Sequence, residues 1–266
     1  MYKAFYGLME KPFSKTPDPR FLYMSSGHRE AMARLEYAIE ESELALLTGE
    51  IGCGKTTLSR ALMDRAGSRY HFLFVFNPRL TADELLRVIA SGLEVGSPSL
   101  RKDQLLSEIT GALYRMHGEG RFPVVVIDEA QLIPDRELFD ELRLLTNFQL
   151  DDRNLVSVII MGQPELRGML ASPVYEPFRQ RISLSFHLSP LSLEETMEYL
   201  DFRMIAAGGE PGLFSPDAVQ RIFELSGGVP RRINAVATNA LLVGFGRDAA
   251  WIDASIVSEC AAELLN

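Results

Sequence analysis

The chain has 266 residues, 47% of them hydrophobic and 24% charged, a balance that suits a globular protein with a full core and excludes disordered, fibrous and membrane-embedded chains. A formal net charge of −9 argues against broad contact with nucleic acid or anionic lipid, which needs clustered Lys and Arg, and leaves a local basic patch as the one route to either. The two cysteines, Cys53 and Cys260, make no disulfide framework, so a reducing, cytoplasmic setting is expected.

No apolar leader follows Met1, and the longest apolar runs (72–76, 124–127, 156–161) are strand-sized, so neither an export signal nor a direct membrane span is expected. Up to Arg20 the chain is rich in aromatics and proline, and Pro12, Pro17 and Pro19 prevent a continuous helix. Ala31, Leu35, Ala38 and Ile39 recur at helical spacing and predict a helix over 27–42. A strand at 44–47, a glycine turn and a helix at 56–66 follow as one strand-loop-helix unit. Continuous apolar β-formers predict strands at 70–76, 124–127 and 156–161, separated by helices at 82–93, 104–116 and 136–146. That alternation predicts a parallel sheet covered on both faces, a three-layer αβα core over residues 1–188 that includes the lead-in. Beyond residue 188 the strand signal stops. Helices at 192–207, with a Ser192/Glu195 capping box, 215–225, 230–244 and 253–265 predict a small all-helical lid domain over 189–266.

Gly49-Glu50-Ile51-Gly52-Cys53-Gly54-Lys55-Thr56 follows the phosphate-loop pattern GxxxxGK[ST], in which glycines let backbone N–H groups converge on phosphate oxygens. Lys55 would reach the β- and γ-phosphates and Thr56 would ligate Mg²⁺, while the helix that follows, with Thr57 beside Thr56, turns its positive end to the anion. Cys53 is read as packing inside that loop. Val124-Val125-Val126-Ile127-Asp128-Glu129 ends a buried strand on two carboxylates, a Walker B arrangement: Asp128 for the metal shell, and Glu129, on the other side of the pleat, to polarise water. An acidic cap on the next helix is the plainer alternative. Gln163, after the strand at 156–161, can reach a γ-phosphate or its attacking water, or can simply form a turn. Arg179 and Arg181 stand just before the αβ region ends, Arg181 being preferred as a functional residue, and Arg231, with Arg232 as alternate, opens a lid helix after Gly228 and Pro230. Either pair could equally be solvated surface charge. His28, His71, His117 and His187 are isolated and suggest no metal site.

These residues resemble the AAA+ superfamily and, within it, the general secretion pathway protein A family. Its marks run from Met1-Tyr2, Pro12-Phe13 and Thr16-Pro17-Asp18-Pro19 through His28-Arg29-Glu30-Ala31 and Asp128-Glu129-Ala130-Gln131 to Asn147, Gly162-Gln163-Pro164 and Arg179-Gln180-Arg181-Ile182. The resemblance implies an ATP- and Mg²⁺-dependent ATPase, a homo-oligomer in which Arg181 completes the next subunit's site, Gln163 in the place of sensor 1 and Arg231 in that of sensor 2. It further implies a role in assembling envelope secretion, pilus or exopolysaccharide export machinery through a membrane-associated partner protein. A second implied role, from relatives that act in transposition, is a DNA-bound ATPase that recruits a transposase.

Overall fold

The computed structural model describes residues 1–14, 18–96, 99–150 and 153–264; Thr16 and Pro17 of the opening motif, and Leu265 of the last predicted helix, lie outside the described residues. In chain order the elements are α1 (Tyr2–Phe5), a 3₁₀ turn at Pro19–Phe21, α2 (Ser26–Glu40), β1 (Leu44–Gly49), α3 (Lys55–Ala66), β2 (Tyr70–Val75), α4 (Ala82–Gly92), α5 (Lys102–Gly118), β3 (Phe122–Ile127), α6 (Arg136–Leu145), β4 (Ser157–Gly162), α7 (Pro164–Leu170), α8 (Glu176–Arg179), β5 (Ile182–Leu188), α9 (Leu193–Ala206), α10 (Pro216–Ser226), α11 (Pro230–Gly246) and α12 (Ala254–Leu264).

The strands form one five-stranded sheet in the order β2-β3-β4-β1-β5, every neighbouring pair parallel. β1 and β4 are buried at every residue, as their unbroken apolar sequences require of strands covered on both faces. β5 is the strand that apolar runs do not reveal. At the sheet's edge it alternates Ile182, Leu184, Phe186 and Leu188 with Ser183, Ser185 and His187, so one face meets solvent and no continuous run arises.

By its internal contacts the chain divides into two compact units. Arg29–Gly49 and Ser59–Leu188 make the sheet unit, in whose core Val125, Ile127, Val158 and Ile160 of the central strands meet Leu86 and Ile89 of α4, Ile109 of α5 and Phe139 of α6. Such burial is worth roughly 1.5–3 kcal/mol per large side chain. Met1–His28, Glu50–Leu58 and Ser189–Asn266 make the second unit. The sequence division puts the lead-in with the αβ core; the structure groups Met1–His28 with the helical region instead, because its apolar side chains are buried there. Leu8, Phe13 and Phe21 share a core with Tyr199, Met204, Phe214 and Ile233.

Arg203 of α9 ties the same segment down. Its buried guanidinium donates to the carbonyls of Pro12 (2.5 Å), Ser14 (3.3 Å) and Phe21 (3.5 Å) and to the Tyr199 hydroxyl (3.1 Å), and it stacks on the Phe21 ring with 4.8 Å to the centroid. The Ser192/Glu195 capping box of α9 is present in both directions. Among the described residues no helix is long and apolar enough to cross a membrane.

Candidate functional site

Because the sheet is parallel, its carboxyl edge gathers the ends of β1, β3 and β4: Gly49, the Asp128-Glu129 pair and Gln163. Residues 50–54 turn directly off β1, with Cys53 N–H donating to the Glu50 carbonyl at 3.2 Å, and α3 starts at Lys55. Gly52 (φ +90°) and Gly54 (φ +100°) occupy the left-handed region, and a Cβ on Gly52 would come within 2.5 Å of Arg231 Cβ, so only glycine suits that position. The first turn of α3, Lys55, Thr56 and Thr57, presents the positive end of its dipole to the loop. Lys55 is buried, and its ammonium donates to the Glu50 carbonyl at 3.1 Å.

The loop's outward carbonyls are held from behind. Gly52 O accepts the Arg231 backbone N–H at 3.2 Å, at the start of α11. Cys53 O lies 3.0 Å from His28 Nε2, and the Ser25 hydroxyl lies 2.7 Å from His28 Nδ1. Burial pushes the imidazole's pKa down, against a smaller upward pull from the Cys53 carbonyl. A carbonyl can only accept, so the neutral ring carries its proton on Nε2 and takes the Ser25 hydroxyl's hydrogen at Nδ1. His28 is thus a satisfied buried histidine, as an isolated one should be, and its partner is the loop.

Burial pushes the Cys53 thiol up to about 11, the Lys55 ammonium only partly offsetting it, so the thiolate population at neutral pH is small and the side chain acts as packing. In the native protein at pH 8, iodoacetamide should therefore label Cys53 roughly 100-fold more slowly than in the urea-unfolded chain. Mass spectrometry of the Cys53 peptide against time measures this, and equal rates would refute the buried-thiol assignment.

Within the sheet unit, buried Val124–Ile127 delivers Asp128, 4% exposed, whose N–H still pairs with the Val75 carbonyl at 2.9 Å. Pleat alternation does not extend to Glu129. It lies at φ 52°, ψ 38°, a left-handed conformation that costs a non-glycine residue of order 1 kcal/mol or more, and its N–H is taken by Asp128 Oδ1 at 2.8 Å. The turn, not strand alternation, therefore aims its carboxylate. A closed ring of side chains holds it. Gln131 Nε2 donates to Glu129 Oε2 at 2.6 Å, Gln163 Nε2 donates to the same oxygen at 3.0 Å, and Gln131 Oε1 accepts the Gln163 backbone N–H at 3.0 Å. Two charge-assisted donors on one oxygen fix the carboxylate's rotation and make Gln163 a partner of Glu129.

The arginines separate by their local bonds. Arg179 pairs with Glu176 and donates to the Leu170 and Ala171 carbonyls, closing its own turn. Arg181 is exposed and donates to a neutral amide, Asn147 Oδ1, at 2.8 Å. Arg231 and Arg232 are both exposed in the first turn of α11, and it is Arg231 whose backbone meets Gly52. In the sequence Gln131 stands among the family marks without a task, and His28 is an isolated histidine whose partner is not apparent. Nothing local announces either role, since the partners that tie them to β4 and to the glycine loop lie 32 and 25 residues away along the chain.

Known proteins agree with this architecture. Residues 39–170 match the AAA domain family. The sequence is 39% identical over 267 residues to general secretion pathway protein A of Aeromonas hydrophila, an alignment covering 99% of this chain and 48% of that protein. The chain thus spans less than half the length of the curated relatives it matches, 48% and 37% for the first two. In three dimensions it is similar to Cdc6p from Pyrobaculum aerophilum (TM-score 0.69, 17% identity, 95% of this chain and 70% of that one). It is likewise similar to the RuvB Holliday junction branch migration motor of Thermotoga maritima (TM-score 0.61, 20% identity, 93% and 74%). At these identities the structural likeness concerns the fold.

Proposed function

The chain belongs to the AAA+ P-loop NTPases as a relative of general secretion pathway protein A, and from that premise we propose that it binds ATP with Mg²⁺ and hydrolyses the β–γ phosphoanhydride as one subunit of a homo-oligomer. The observation that carries this reading lies within the sheet unit: β1 ends at Gly49, the first residue of the glycine pattern, on the same edge where β3 delivers Asp128 and Glu129 and β4 delivers Gln163.

The residues suit the ligands. Left-handed glycines, a buried lysine and a helix N-terminus suit a polyphosphate, and the buried carboxylate of Asp128 and the hydroxyl of Thr56, next to Lys55 in the chain, are oxygen donors of the kind a hard cation takes. The loop from Gly49 to Gly54, with Glu50, Ile51 and Cys53 supplying backbone, cradles the phosphates, while Lys55 and Thr57 add donors. Thr56 and Asp128 would hold Mg²⁺, which when bound neutralises charge on the β- and γ-phosphate oxygens. Glu129, held by Gln131 and Gln163, takes a proton from the water whose oxygen attacks the γ-phosphorus as the bond to the β-bridging oxygen breaks. Arg181 enters the neighbouring subunit's site and balances the charge that develops there. Arg231, whose backbone holds the Gly52 carbonyl, carries the state of the phosphate loop into α11.

The load is the assembly or operation of envelope secretion, pilus or exopolysaccharide export machinery, on the cytoplasmic side and through a membrane-associated partner. The relative's name and extent of identity support it. Steady-state ATPase activity against protein concentration tests the reading. Specific activity should rise with concentration, fall in Arg181→Ala and ignore double-stranded DNA. Activity independent of concentration and untouched by Arg181→Ala would remove the shared site, and strong stimulation by DNA would transfer the role to target selection for a transposase.

A further inference from the structure

We propose that His28 is a positioning residue of the phosphate site, orienting the Cys53–Gly54 peptide, and that Glu195 ties this contact to the start of α9. The proposal deepens the nucleotide-binding reading and rests on it.

The described residues contain no cis peptide bonds, so the carbonyl of Cys53 and the N–H of Gly54 point in opposite directions across one rigid unit. The His28 Nε2–H holds that carbonyl at 3.0 Å, and the N–H of Gly54 is thereby turned away from the ring, toward the side where the reading puts phosphate. Gly54, at φ +100°, has no side chain to restrain it, and a Cβ there would meet His28 Nε2 at 3.1 Å. A glycine peptide is the part of the chain most free to flip. The histidine removes that freedom before ligand arrives.

The ring itself is fixed. Ser25 Oγ accepts the His28 backbone N–H at 3.2 Å and donates to Nδ1 at 2.7 Å, and both side chains are buried. The next residue, Ser26, gives its backbone N–H (3.0 Å) and hydroxyl (2.6 Å) to Glu195 Oε1, while Glu195 Oε2 accepts the Ser192 N–H at 3.2 Å. One carboxylate therefore caps the first turn of α2 and the first turn of α9 together. Displacing the start of α9 pulls on Ser26, two residues from the ring that holds the loop.

The test is titration with fluorescent mant-ADP and mant-ATP, alongside thermal unfolding without nucleotide, of wild type, His28→Ala, His28→Gln, His28→Asn, Glu195→Ala and Lys55→Ala. A glutamine amide nitrogen stands as many bonds from Cα as His28 Nε2 does, whereas an asparagine amide stops short of Cys53. His28→Ala should weaken mant-ADP binding roughly tenfold, the size of one lost hydrogen bond. His28→Gln should recover most of the loss, His28→Asn should not, and Glu195→Ala should fall between. In turnover the His28→Ala loss should appear mainly in KM. Binding by His28→Ala at wild-type strength, or Gln behaving no better than Asn, would overturn the proposal, and the Gln/Asn pair decides it even if the alanine variant does not fold. If wild type and Lys55→Ala bind nucleotide alike, the nucleotide reading fails and takes this one with it; if Lys55→Ala alone loses binding, only the His28 assignment is at stake.

Discussion

Glu129→Gln is expected to bind ATP as the wild type does and to turn it over roughly a thousandfold more slowly. The substitution keeps shape and removes basicity. In the native ring Glu129 Oε2 receives one N–H from Gln131 and one from Gln163, and a glutamine carbonyl oxygen in that place accepts both, so the left-handed turn and the strand ends it joins are undisturbed. What the amide cannot do is take a proton from water. Gln131→Ala is the informative companion, because it leaves the base intact but deletes both the donor to Glu129 and the acceptor for Gln163 N–H; a loss of roughly tenfold in kcat is expected from a carboxylate that is present but less well aimed. Single-turnover hydrolysis with equilibrium binding of the same preparations separates the effects. A Glu129→Gln rate within tenfold of wild type, binding being equal, would remove Glu129 as the base.

Arg203→Met should lower stability by about 3 kcal/mol and the unfolding midpoint by roughly 6–12 °C. Methionine roughly fills the volume, so the loss falls on polar groups. The guanidinium serves three carbonyls and a hydroxyl from one buried position, and the substitution removes that shared donor from all four at once. Burial already pulls this arginine's pKa down, with Tyr199 opposing it, yet it stays charged across the working range, so the penalty should be flat with pH. Arg203→Lys should recover little, since a single ammonium cannot reach several carbonyls in a fork. Calorimetry measures the midpoint, and limited proteolysis should show the first new cut within residues 1–28. A midpoint shift below about 2 °C would mean that the orphaned carbonyls rehydrate at no cost.

Much of this fold could be read from the sequence, for reasons that differ by element. β1, β3 and β4 are buried on both faces, and two-sided burial writes itself as an apolar run. β5 writes a period of two, which is easily passed over beside an arginine-rich turn, and seven-residue α7, opened by Pro164, is too short for a helical period to show. The phosphate loop is legible because its glycines are demanded by local backbone geometry. Glu129's orientation is not, since a left-handed residue breaks the alternation from which a strand-end side chain is placed. The aromatic, proline-rich lead-in declares that it packs, but its burying surface, α9 to α12, is encoded some two hundred residues later and no local rule names it.

That arrangement also orders events on the ribosome. Leu8, Phe13 and Phe21 emerge well before the helices that bury them, which start at Leu193, so at roughly 5–20 residues per second that segment waits roughly ten to forty seconds with its apolar side chains uncovered. The strands can pair meanwhile, because every one of them has been translated by Leu188. Helices made after the sheet thus act as an intramolecular chaperone for residues made before it, and a fragment cut at residue 188 would carry that sticky segment permanently.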